Sequence, residues 1–255
     1  TPGYLMFDSS AFIDVALVGN EVDQGQLMYE ISDSSKPVLL DAQLYLSNPG
    51  MLVLTFNETM DVTPQSDFVY LNKIYLSNNT TDYTIPLTGS VVVQTDSTVI
   101  TIKLREQIRA KAVQLSATLG GDTSPLVLDL LPGSMVDLMM NGVVDAHAFS
   151  LVEHGDSVLP VIVAVTMDYS TGVLTVNASE TIDLTPPDLF NPTKLAIADT
   201  AFGQPVVVLD DKITFEAKDT TSIRIHLTES QRFTALKNSG VPGGDTTAIF
   251  VIVGL

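Results

Sequence analysis

Cysteine is absent from the 255 residues, and so is tryptophan. Without a thiol the chain builds no disulfide, thiolate metal site, Fe–S cluster or cysteine nucleophile. Basic side chains are scarce: 12 Lys and Arg stand against 30 Asp and Glu, a formal net charge of −18. That excess repels phosphate, which makes nucleic acid and anionic membranes poor partners. No apolar run approaches the roughly 18–20 residues of a membrane-crossing helix. Histidine occurs only at His147, His154 and His226, with no metal-ligand spacing among them. Gly-x-Ser-x-Gly elbows and phosphate-cradling glycine loops are also lacking, so the chain reads as a non-enzyme. Its start, Thr1-Pro2-Gly3-Tyr4, is unlike a signal peptide and is expected of a processed chain or an internal piece.

What is there is a 45% apolar chain, long enough for one large domain or two ordinary ones. It repeats itself. Gly120-Gly121-Asp122-Thr123 recurs as Gly243-Gly244-Asp245-Thr246, an offset of 123 (243 − 120). Gly50 to Pro64 aligns without gaps on Gly172 to Pro186, at 122 (172 − 50), and Asp96 to Gln114 aligns on Asp219 to Lys237, at 123 (219 − 96). Lys36-Pro37-Val38 is echoed at Leu159-Pro160-Val161, and Tyr4 to Asp14 reads like Val127 to Asp137. Spaced blocks in one order at a nearly constant offset predict tandem duplication. Residues 37–155 are then a complete repeat. Residues 1–33 supply the C-terminal strands of a preceding one, and 160–255 form a repeat lacking its last strand. The missing strand corresponds to Ala146–Val152, and its counterpart in the first segment is Gln26–Ile31 (QLMYEI). The expectation is that residues 1–33 close a sandwich whose other strands come from an equivalent of 160–255.

Each repeat reads as β-structure. Runs of Val, Ile, Leu and Thr, about 5–8 residues long, lie between clusters of Gly, Pro, Asn and Asp. Ile100, Ile102 and Leu104 alternate with Thr101 and Lys103, the pattern of an antiparallel strand with one face in a core. Roughly seven strands in about 120 residues predict an all-β fold of tandem Ig-like antiparallel sandwiches, about 123 residues each. One stretch per repeat departs from strand periodicity, Arg105–Gln114 and its partner Thr228–Lys237. It predicts a short helical turn, with Thr228 as its N-cap. Short Pro-bearing joints restrict the angle between neighbouring repeats.

The stretch from Gly50 to Asp61 (GMLVLTFNETMD) resembles the G-x-L-x-L-x-F-x-E-x-[VM]-D signature of tandem Ig-like repeats in very large secreted proteins of protists and algae. The T-x-Y-T run ending at Thr84, the Asp96 strand and the Ile/Ala/Lys helical turn are similar too, and bacterial surface-layer Ig-like domains are more distant relatives. The resemblance implies an extracellular, cell-surface structural protein. Its repeats would contact copies of themselves or adjacent repeats head to tail, in a filament, stalk or surface coat such as a flagellar hair (mastigoneme). The alternative is an adhesin or carbohydrate-binding Ig-like module. Such a loop-based binder usually clusters aromatics or arginine at one end, and here Tyr and Phe are spread along strands.

Candidate chemistry is sparse. Glu58 with Asp61 repeats as Glu180 with Asp183. Glycosidases use two carboxylates about 5–10 Å apart across a cleft, but a strand-end motif present twice reads as structural. No cofactor is expected. Calcium needs six to eight oxygens, and Asp137, Asp145 and Asp156 near the joint are its candidates, without an Asp-x-Asp-x-Asp-Gly loop. Sequons at Asn57, Asn78, Asn79 and Asn177 are candidate N-glycosylation sites.

Overall fold

β-branched and aliphatic side chains in alternation make strands, and strands dominate the molecule. The computed structural model describes residues 3–78, 84–201 and 203–253, with Gln24 described in its backbone alone. The first elements are a hairpin of β1 (Tyr4–Phe7) and β2 (Asp23–Leu27). A first unit follows: β3 (Leu39–Tyr45), β4 (Met51–Asp61), β5 (Ile74–Ser77), β6 (Ile85–Pro86), β7 (Val91–Val92), β8 (Ser97–Lys103), β9 (Val127–Leu130), β10 (Val136–Asp137), β11 (Ala146–Ser150) and β12 (Val152–His154). A second unit carries β13 (Ile162–Asp168), β14 (Val173–Ile182), β15 (Leu195–Ala198), β16 (Pro205–Val208), β17 (Thr214–Phe215), β18 (Thr220–His226) and β19 (Phe250–Val253). Helices are few and short: α1 (Gln65–Phe68), α2 (Glu106–Gln114) and α3 (Glu229–Lys237).

Two sheets make each unit. In the first, β12-β3-β4-β8-β7, with β10 on β4, faces β11-β9-β5-β6. One core joins them: Leu54 and Ile100 from one sheet share it with Leu76 and Leu128 from the other. The alternation expected in β8 holds, since Ile100 and Ile102 are fully buried while Lys103 is exposed. In the second unit β13-β14-β18-β17 faces β16-β15-β19, around a separate core containing Val176, Ile197 and Ile225.

Registers agree between the units. Leu54 lies opposite Ile100, and Val176 opposite Ile223. Val91 lies opposite Lys103, and Thr214 opposite His226. The first hairpin matches a third place: Tyr4↔Leu27, Leu5↔Gln26 and Phe7↔Asp23 reproduce Val127↔Ser150, Leu128↔Phe149 and Leu130↔Ala146, with the irregularity at the same step. Asp14 accepts from Ala16 N and Val18 N as Asp137 accepts from Met139 N and Asn141 N.

The helical stretches form with unequal caps. Thr228 and Gln231 make a reciprocal capping box on α3. Arg105, the N-cap of α2, makes no side-chain cap. Ile108 and Ala112, four residues apart, bury one face of α2 in the core.

Three strand expectations need correction. Ala146–Val152 is not one strand. Ala148 adopts φ 51°, Leu151 drops into the core, and the chain changes sheets there, so that β11 pairs with β9 and β12 with β3. The sandwich is not wholly antiparallel, because β12 runs parallel to β3. Gln26–Ile31 is not a strand throughout: β2 ends at Leu27 and pairs with β1, in a two-stranded sheet apart from both units.

Closure differs between the units. In β3 the side chains of Leu39, Ala42 and Leu44 are buried, whereas their counterparts in β13 include Ile162 at 41% and Val165 at 38% exposure. An open apolar cavity of ≈330 Å³ lies among Ile162, Ile182, Phe190, Leu195, Ile225 and Val253. At the matching place in the first unit β10 pairs beside Met60, and Met135, Val143 and Leu151 are buried in its core.

Candidate functional site

The one buried cation among the described residues lies where the two units meet. α2 presents Arg109, whose side chain is 3% exposed, to the start of the second unit. A glycine admits it: a Cβ on Gly50 would lie 2.8 Å from Arg109 Cγ, so any side chain there would displace the arginine stem. Gly172 occupies the same place below Arg232, where a Cβ would lie 3.1 Å from Arg232 Cδ. The glycine that opens the G-x-L block is thereby explained as a seat for an arginine.

All five guanidinium N–H groups of Arg109 find an acceptor. Nε donates to Glu106 Oε2 at 2.7 Å, and Nη2 donates to Glu106 Oε1 at 2.8 Å and Glu180 Oε2 at 2.9 Å. Nη1 donates to the Leu46 carbonyl at 2.8 Å and to Asp156 Oδ2 at 2.7 Å. Glu106 also accepts from Thr181 N at 2.7 Å. Around this centre Asn48 Nδ2 donates to Ser179 O at 2.9 Å, Gln114 Nε2 donates to Asp219 Oδ2 at 2.8 Å, and Ser47 Oγ lies 3.5 Å from Ser157 Oγ. Planar bidentate bonds to a carboxylate are directional, so this cluster fixes the angle between the units as well as holding them.

The electrostatics follow from one cation among three carboxylates. Burial alone pushes Glu106 and Asp156 up, but hydrogen bonds and the charge of Arg109 outweigh it and hold both below the usual carboxylate range. Burial likewise opposes the charge on Arg109, and its acidic partners more than compensate, raising its affinity for the proton. Glu180 goes the other way: burial, with Asp156 and Glu106 adding to it, prevails over the attraction of Arg109 and raises it. An adjoining cleft of ≈540 Å³ is lined by Gln107, Lys111 and Gln114 on one side and Thr181, Thr185 and Asp219 on the other.

A second acidic group sits at the opposite end of the first unit. Carboxylate oxygens of Asp33, Glu58 and Asp137 lie within 4.8 Å of one another. Glu58 is raised above its usual value by burial and by the charges of Asp137 and Asp33. Its Oε1 is buried without a hydrogen-bond partner.

The calcium candidates are not brought together as one site. Asp137 joins Asp33 and Glu58, Asp156 pairs with Arg109, and Asp145 is exposed on the loop before β11. Of the sequons, Asn57 Oδ1 accepts from Val38 N at 2.7 Å. Asn177 lies within β14, between Ala164 and Ser222 on the flanking strands. Asn78 Nδ2 donates to Asp122 Oδ2 at 2.5 Å, and Asn79 lies outside the described residues. His147 Nδ1 is 2.6 Å from Asp129 Oδ1, His154 stacks on Tyr45 with centroids 4.2 Å apart, and His226 is exposed on β18. Glu58 and Glu180 both reach acidic or cationic neighbours, whereas Asp61 and Asp183 form local turns to Thr63 N and Thr185 N.

Sequence reasoning missed Arg109, Glu106, Asp33 and Arg232. The alignment held the signal, since it lays Arg109 on Arg232 and Glu106 on Glu229, a basic position preserved together with its acidic partner. Compared with known proteins, the chain matches no family model, no curated protein and no solved structure.

Proposed function

We propose that the chain is a structural repeat protein of an extracellular filament, stalk or surface coat, of which a flagellar hair is one setting. On this reading its two units are Ig-like sandwiches of a tandem series, bounded at about residues 37–155 and 160–255, and it performs no catalysis. The observation that carries the reading is the joint. A binding module joined by a loose linker has no use for a nearly fully buried arginine whose five N–H groups are all matched across two units and the turn between them. Breaking such a cluster leaves uncompensated buried charge, which resists bending of one unit on the other. Agreement of register between the units adds to it, because a repeated module set at a fixed angle generates a regular array.

The test is electron microscopy of native material. Straight, periodic particles whose axial repeat matches one unit support the reading. Dispersed monomers retained on a glycan or cell-surface column would instead establish the adhesin alternative.

A further inference from the structure

The distal end of the second unit repeats the chemistry of the joint with half of it unmet. Arg232 Nε and Nη2 donate to Glu229 at 2.7 Å each, and Nη1 donates to the Tyr169 carbonyl at 2.6 Å. These bonds are the counterparts of those from Arg109 to Glu106 and to Leu46 O. The two remaining N–H groups of Arg232 have no acceptor among the described residues, and they are the two that Arg109 directs to Asp156 and Glu180. The Arg232 side chain is accordingly 30% exposed, against 3% for Arg109.

The proximal end of the first unit holds the other half. Asp33 and Glu58 are the counterparts of Asp156 and Glu180 in the aligned sequence. Asp33 Oδ1 accepts from Ser35 N as Asp156 Oδ1 accepts from Val158 N, so the two loops hold their carboxylates alike. Here, however, no cation among the described residues lies among the acids, and Glu58 Oε1 stays buried and unpaired, as Glu180 Oε1 does in the joint. One end offers a guanidinium short of two acceptors, and the other offers carboxylates short of a cation.

We infer that two copies of this polypeptide stack head to tail, with Arg232 and Glu229 of one engaging Asp33, Glu58 and Thr59 of the next. The contact repeats between copies the joint that Arg109 makes within one, and it rests on the structural reading above. Secondary contacts carry over by the same alignment. Lys237 stands where Gln114 reaches Asp219 and would meet Asp96 of the next copy, while Ser170 would meet Ser34. The bond of Asn48 has no counterpart, because the turn before Gly172 is one residue shorter.

The apolar surface agrees. The hairpin precedes Asp33 in the chain, so stacking brings it beside the open cavity of the other copy's second unit. Leu5, Phe12 and Met28 are 48%, 62% and 45% exposed, while their counterparts Leu128, Met135 and Leu151 are buried. β1 and β19 both correspond to β9, so on stacking β2 exchanges β1 for the neighbouring copy's β19. Edge β-augmentation of this kind gives backbone hydrogen bonds to a strand that otherwise lacks them.

Two single-site variants test it by sedimentation, because each blocks one end only. Wild-type copies are expected to form larger species as concentration rises. Arg232→Glu alone and Asp33→Ala alone should each lose growth and stay monomeric, with an unchanged thermal midpoint because the Arg109 joint is intact. Mixed, they should yield dimers and nothing larger, through the one compatible pair of ends. Independently, Ser34→Cys with Ser170→Cys in this cysteine-free chain should give a disulfide ladder on a non-reducing gel, as the 3.5 Å approach of Ser47 and Ser157 foretells. Both variants growing like wild type, or growth that requires added Ca²⁺ and stops with EDTA, overturns the arginine joint while leaving a filament possible. Wild-type copies that stay monomeric, with a double-cysteine variant that gives no ladder, also overturn it, and native micrographs judge the filament reading separately.

Discussion

Arg109 and Arg232 are the same residue placed in two surroundings. Each rises from the first turns of a short helix, lies over a glycine, and chelates a glutamate three positions earlier with Nε and Nη2. Only the neighbour differs. With the following unit docked, Arg109 is buried and its bonds are complete, and without one Arg232 remains on the surface with its glutamate. The local pair is therefore built before any docking, and the next unit adds only acceptors. Little side-chain entropy remains to be lost when the contact closes, since the guanidinium is already held in place.

The sharpest way to break that comparison is to remove each arginine in turn. Arg109→Ala leaves the buried Glu180 and the half-buried Glu106 and Asp156 without their cation, and it should cost about 3–5 kcal/mol in chemical denaturation. Arg232→Ala removes an exposed i,i+3 pair and should cost less than about 1 kcal/mol in the same measurement. Equal losses would mean that docking contributes nothing to the first.

The closed and open cores give the next contrast. Ile102→Ala, deep in the first unit, should lower the stability of that unit by about 4 kcal/mol, whereas Ile225→Ala, beside the open cavity, should cost about 2 kcal/mol by denaturant titration. A wall that already faces an opening loses fewer contacts.

Acid sharpens the joint. Glu106 and Asp156 are depressed in the folded state, so their contribution is complete above the unfolded value near pH ~4 and is lost as pH falls through the lowered folded values. Glu180, raised, opposes this weakly by taking a proton early. Wild type should lose more stability than Arg109→Ala between neutral pH and acid, as read by thermal melts. The reverse order would place these carboxylates outside the joint.

The smallest contrast is between caps. Thr228→Ala should cost about 1 kcal/mol by removing the capping box of α3, and Arg105→Thr should gain about 0.5 kcal/mol by supplying α2 with a cap it lacks. Helix content by circular dichroism, followed through the melt, checks both.

Alternation made the strands legible, and self-alignment made the correspondence between units legible, down to the hairpin whose pairs repeat those of β9 and β11. Side-chain identity was a poorer guide than side-chain role. Asn57 and Ser179 differ, yet Asn57 Oδ1 receives Val38 N at 2.7 Å just as Ser179 Oγ receives Val161 N at 3.0 Å. The joint was illegible for a geometric reason: Asp156 and Glu180 lie 47 and 71 positions from Arg109, and nothing in composition says which ends of two units touch. The split at Leu151 was hidden because AHAFSLVEH reads as one uninterrupted strand, and only the positive φ of Ala148 and the change of sheet reveal two.

The parallel ladder between β12 and β3 has a mechanical consequence. The chain enters the first unit at the beginning of β3 and leaves it at the end of β12, and these strands lie side by side with Val152, Glu153 and His154 opposite Gln43, Leu44 and Tyr45. Tension on the two ends therefore drags neighbouring strands lengthwise past each other. Evenly spaced parallel bonds then share the load and must yield together, unlike a hairpin, which opens one pair at a time. The stack of Tyr45 on His154 adds friction at the point where the pull leaves the strand. Just beyond it Asp156 hands the force to Arg109, and a pulled chain would spread its strain over both the ladder and the guanidinium instead of peeling from an edge.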